Sequence, residues 1–227
     1  MTMNFRSLNG FLLSLLVISV AVMVLVGTMV ARAQPDGRQV MHFDGPTHLS
    51  IEDLDRNADL VVRATVRGLR EQVVDFGSEN KDEGGGGLPL ALFDVEVTET
   101  ILGERTPSSL LVALLDPELT VSESGVEISK GDDILLYLLR RDTAGSPAIR
   151  TVDGGEFFYI PLNFNNGVLR VDGDSVVTTG ELPLAVTDAE AERIAEQQGE
   201  QERSGEPVVP RAGSRFGLDA VRGASQN

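Results

Sequence analysis

Few stretches of this chain hold residue types that could do chemistry. His42 and His48 flank Asp44, and imidazole and carboxylate are both metal ligands. They lack the H-x-x-x-H spacing that sets two imidazoles on one helical face, so they read as exposed polar residues of a loop. Gly131-Asp132-Asp133 matches the GDD string of polymerase sites, yet it leads straight into an apolar run and reads as a turn before a strand. Asp172-Gly-Asp174 offers two carboxylates for calcium without the remaining ligands of an EF-hand loop. The four glycines at 84–87 are not followed by the lysine and Ser/Thr of a phosphate-binding loop, and they close a flexible segment, 77–87. No G-x-S-x-G occurs, and with no cysteine there is no thiol nucleophile, disulfide or lipid-bearing cysteine. No catalytic, cofactor-binding or metal-ligating residue is therefore assigned, no cofactor is expected, and the chain reads as not an enzyme.

One site does carry a signal, and it concerns processing. Phe11 to Val30 is an unbroken apolar and small-residue run preceded by Arg6, and it ends in Ala31-Arg32-Ala33. Ala31 and Ala33 fit the two small positions that a signal peptidase reads, which predicts a mature chain beginning at Gln34. The alternative is a retained anchor over 11–30, because about 20 apolar residues also span a bilayer. Both readings put the bulk of the chain outside the cytoplasm. Removing Arg6 and Arg32 from the 19 basic residues leaves 17 against 35 acids, a net charge of −18. Such a charge repels nucleic acid and anionic membrane surfaces, so contact with a membrane is expected only through an uncleaved N-terminal segment.

The elements that would position any site are mostly strands. In NADLVVRATVRG, Leu60, Val62, Ala64 and Val66 alternate with Arg63, Thr65 and Arg67, which predicts a strand over 58–67 with one dry and one wet face. Phe93, Val95 and Val97 alternate with Asp94, Glu96 and Thr98, and this second strand places acids across from Arg63 and Arg67. Pairs of that kind contribute about 0.2–1 kcal/mol each and help set register. The arginine face is thus read as structural rather than as a binding surface. The runs 110–115 and 134–139 are apolar on both faces and read as strands buried on two sides. Phe157 to Asp172 reads as a hairpin about Asn165-Asn166-Gly167, with Pro161 marking an edge or a bulge.

Ser50 caps a short helix that ends near Arg56, and Thr187 with Glu190 has capping-box spacing for a helix over 187–198. The domain plan is a signal or anchor over 1–33, a linker over 34–47, the β domain over 48–186, the helix, and a disordered tail over 199–227. A short helix near Phe216 to Val221 is the one element entertained within that tail.

The order short helix, ADLVVRATV, loop, FDVEVTETILGE, LLVALL, GDDILLYLL resembles the barrel of the tissue-inhibitor-of-metalloproteinase and netrin-module family over about residues 48–139. The resemblance implies a mostly β, five-stranded antiparallel OB-like barrel, here with an added C-terminal hairpin and one or two short helices. Those inhibitors chelate a protease zinc through an N-terminal cysteine, which this chain lacks, so that mechanism does not carry over. The expected function is an exported, non-catalytic binding module whose partner is a protein or envelope component. The alternatives are a cation-stabilised structural protein of the cell surface and, last, a hydrolytic enzyme.

Overall fold

The founding strand runs well beyond its alternating stretch. In the computed structural model, which describes residues 30–33, 39–42, 50–76, 87–104, 106–122, 126–151, 156–162, 167–179, 184–194, 196 and 214–224, it continues to Asp75. The elements in chain order are β1 (Val30–Ala33), β2 (Gln39–His42), α1 (Ile51–Asn57), β3 (Leu60–Asp75), β4 (Leu88–Leu102), β5 (Ser109–Leu115), β6 (Thr120–Ser122) and β7 (Asp133–Asp142). They continue with β8 (Phe157–Pro161), β9 (Val168–Asp172), β10 (Ser175–Thr178), α2 (188–194), β11 (Arg215–Gly217) and α3 (Leu218–Ala224).

The protein is mostly β, and its main sheet has eight strands in the order β11-β10-β9-β7-β3-β4-β5-β8. Because β7 also pairs with β8, the five strands β3, β4, β5, β8 and β7 close into a ring. The seams are antiparallel except β5–β8, which is parallel and meets at Val112 and Tyr159, so the expectation of an all-antiparallel set is corrected there. A smaller sheet, β1-β2-β6, includes a strand at 39–42 within the stretch read as a linker.

The alternation in β3 now has a physical explanation. Leu60, Val62, Ala64 and Val66 point into the ring with Phe93, Val95, Val112, Leu136 and Leu138, as their shared face requires. The runs that are apolar on both faces are buried on both. Ile134, Leu136 and Leu138 face the ring interior, whereas Leu135 and Tyr137 face outward onto Ile51, Leu54, Leu218 and Val221 of α1 and α3. Val61 belongs to that outer layer and is fully buried, so the face read as wet is dry at its start. On the other side of the ring, Leu90, Leu92, Leu111, Ala113 and Leu115 pack on Ile149 and Phe158.

Two expectations fail. Residues 157–172 are not a hairpin: β8 and β9 both run antiparallel to β7 along the same edge, one after the other. Leu162 and Gly167 bracket Tyr137, with the Leu162 N–H donating to the Tyr137 carbonyl at 2.9 Å and the Tyr137 N–H to the Gly167 carbonyl at 2.8 Å. A Cβ at Gly167 would lie 2.6 Å from the Leu162 nitrogen, and β9 keeps the direction of β8 along β7 with no reversal. The true hairpin is β9–β10, turning at Gly173. The region 199–227, read as disordered, carries β11 on the sheet edge and α3, whose Leu218 and Val221 are buried. The short helix entertained near Phe216 to Val221 is thus present as α3, and it docks through just these two apolar residues.

The helix starts lock one another. Ser50 accepts the Asp53 N–H at 2.9 Å, as a cap should, and its hydroxyl also donates to the Asp188 carboxylate at the start of α2. Glu52 accepts the Asp188 N–H at 3.0 Å in return, and Arg56 pairs with Asp188. Thr187 caps the Glu190 N–H at 3.3 Å, while Glu190 reaches back to the N–H of Val186, one residue before the cap.

Candidate functional site

At the end of the ring where β3 begins, the path from α1 into the sheet and the β4–β5 connection enclose a cleft of about 730 Å³. Its lining includes Asp59, Leu60, Glu104, Thr106, Arg140 and Tyr159. Asp59 follows the cap of α1 and is tied twice to β7: its N–H donates to the Leu138 carbonyl at 2.9 Å, and its carboxylate accepts the Arg140 N–H at 2.9 Å. Gly103 follows β4 with φ +107, and a Cβ there would lie 2.9 Å from the Asp59 carbonyl. Only glycine lets the connection turn this tightly over Asp59. The Thr106 hydroxyl donates to the Glu104 carbonyl at 3.0 Å and receives a bond from Thr100 at 3.2 Å, which holds the connection in shape.

Arg140 projects from β7 with its guanidinium 4.6 Å from the Phe157 ring centroid, a cation–π stack that fixes the plane of its donors. Tyr159 on β8 packs against the ring interior and is half-buried, with its phenol at the cleft. Burial pushes the Tyr159 pKa up, Arg140 pulls it back, and Asp59 adds to the rise, so the phenol stays protonated and able to donate near neutral pH. The cleft thus presents carboxylate acceptors, a guanidinium and a phenol over an apolar floor made by Leu60. Asp59 and Glu104 are its carboxylates, and no group of three or more His, Cys, Asp or Glu able to hold a metal occurs among the described residues.

The residues singled out in the sequence sit elsewhere. Arg63 forms a bidentate pair with Asp133, at 3.1 Å from Nε and 2.5 Å from Nη2. Its partner therefore comes from β7, not from β4 as the strand pairing predicted, because Glu99 opposite it is taken by Arg222 of α3 at 2.7 Å. Arg67 does pair with Glu96 of β4. Asp132 accepts the Ser129 N–H at 2.9 Å, so Gly131-Asp132-Asp133 is a turn whose second acid serves an ion pair. Asp172 pairs with Arg215 at 2.9 Å across the β9–β11 corner. Ala31 and Ala33 lie on β1. His48, Asp44 and the glycine run through Gly86 lie outside the described residues, as does the side chain of His42.

Sequence reasoning missed every polar member of the cleft. Asp59 fell within the strand read over 58–67, Glu104 and Arg140 were given no role, and Tyr159 was read as part of a hairpin arm. A usable signal was present: Asp59 and Arg140 adjoin apolar runs whose register sets them side by side. Compared with protein-family models, curated proteins and solved structures, the chain matches none.

Proposed function

We propose that this chain is an exported, non-catalytic binding module on an OB-type barrel, with its ligand seat at the mouth of the five-stranded ring. The strand order around the ring and its single parallel seam support the barrel reading. The observation that carries the functional reading is the cleft itself: about 730 Å³, within the roughly 300–1,000 Å³ of small-ligand sites, with solvent-facing donors and acceptors fixed by strand ends. Export rests on the run at 11–30 and on Ala31 and Ala33, with cleavage before Gln34 or retention of 11–30 as an anchor. Among the described residues no helix is long and apolar enough to cross a membrane. The partner is a component of the cell envelope. The cation-stabilised alternative is less well supported, since Asp133 and Asp172 are engaged by arginines.

The test is retention from envelope extract on the full chain carrying an affinity tag, against its Arg140→Ala variant. A component retained by the wild type and lost by the variant supports the reading. Equal retention by both moves the seat away from the cleft.

A further inference from the structure

The cleft at the ring mouth has a composition that narrows its ligand. We infer that it binds a neutral, hydroxyl-rich ligand, a saccharide, with Arg140 and Tyr159 as donors and Asp59 and Glu104 as acceptors; this rests on the binding-module reading above. An anionic ligand would meet both carboxylates and the field of a chain with net charge −16. A cationic ligand would share the cleft with Arg140, which forms no ion pair among the described residues. Asp59, moreover, already spends one carboxylate oxygen on the Arg140 N–H at 2.9 Å.

Vicinal hydroxyls suit what remains. Each hydroxyl both donates and accepts, so a pair of them can take two N–H groups from a planar guanidinium and return protons to a carboxylate. Arg140 is prepared for this, because its stack on Phe157 at 4.6 Å holds the fork in one plane before any ligand arrives. Tyr159 offers a half-buried ring against which the apolar face of a sugar can pack, with its hydroxyl free of any hydrogen bond among the described residues. Asp59, Glu104, Thr106, Arg140 and Tyr159 outnumber Leu60 and Pro107 around the cleft, as a polyol requires and a greasy ligand does not.

The experiment is calorimetric titration of the full chain with four soluble hexamers: cellohexaose and chitohexaose as neutral probes, a chitosan hexamer as cationic, and a galacturonate hexamer as anionic. Parallel sedimentation with insoluble cellulose and chitin distinguishes a free oligosaccharide from a wall polymer as the source. The inference predicts binding of a neutral hexamer that is unchanged between low and high salt. Tyr159→Phe, which removes one oxygen, should weaken it roughly tenfold, and Arg140→Ala roughly tenfold or more, with unfolding transitions unchanged. Preference for a charged hexamer, or binding of none, overturns the inference. If none binds and envelope retention still depends on Arg140, the ligand class is wrong and the seat stands. If retention is also independent of Arg140, the seat falls too.

Discussion

Substituting aspartate at Val61, and separately at Val62, probes both faces of β3. Both valines are fully buried, Val62 inside the ring and Val61 under α1 and α3. Truncation to alanine would remove two carbons, about 1.6 kcal/mol of transfer free energy at roughly 0.8 per CH₂, and the residual cavity raises this to about 2–3 kcal/mol. Aspartate adds a carboxyl group among buried side chains that are apolar inside the ring and apolar but for the Tyr137 hydroxyl in the outer layer, so each substitution should cost about 4 kcal/mol or more. That is a large part of a typical 5–15 kcal/mol, with no disulfide to compensate. Arg63→Ala should cost only about 0.5–1 kcal/mol, because its pair with Asp133 is 27% and 36% exposed and solvent screens it. Urea unfolding followed by far-UV circular dichroism is the suitable assay, since the chain has no tryptophan. If Val61→Asp behaves like Arg63→Ala, the outer layer does not cover β3. If Val62→Asp does so, the ring interior is misassigned.

Gly167→Ala should destabilise by about 2 kcal/mol or more, while Gly145→Ala, with open space around it, should stay within about 0.5 kcal/mol; thermal melts of the two compare them directly. Removing residues 214–224 should lower the melting temperature by uncovering Val61 and Leu135, and an unchanged transition would restore the disordered tail. Asp188 has its pKa lowered, first by the Ser50 hydroxyl and then by Arg56. Its contribution is therefore fully present above the ordinary aspartate value near pH ~4 and is lost as pH falls through the lower folded value. Asp188→Asn should flatten the acid side of the stability–pH curve, and an identical acid limb in the variant would show that the helix lock does not contribute. N-terminal sequencing of the native product should begin at Gln34, whereas an intact N-terminus in the membrane fraction establishes the anchor.

What could be read from the chain depended on how locally each feature is encoded. Alternation at Leu60–Val66 and Phe93–Val97, and the two-faced runs at 110–115 and 134–139, placed the ring strands, because side-chain period is a local property. Ser50 and Thr187 were legible as caps for the same reason. The path of 157–172 was not, because Asn-Gly reads locally as a reversal, whereas β8 and β9 share one edge of β7 in the same direction. Arg63 shows the same limit: the register sets Glu99 opposite it, not the Asp94 or Glu96 read from the alternation, and Glu99 is claimed by Arg222 in the last turn of α3. The cleft depends wholly on such distant closures. Asp59, Glu104, Arg140 and Tyr159 are brought together from just before β3, just after β4, and from β7 and β8, and none of them carries a motif.

Hydrogen–deuterium exchange of the full chain, free and bound to the component it retains, tests the central claim most directly. Occupancy of the ring mouth predicts new protection of the amides of residues 103–104, 106 and 140–141, with little change along the far arm at 68–75 and 88–92. Protection confined to that arm, with the ring mouth exchanging as in the free chain, would contradict it.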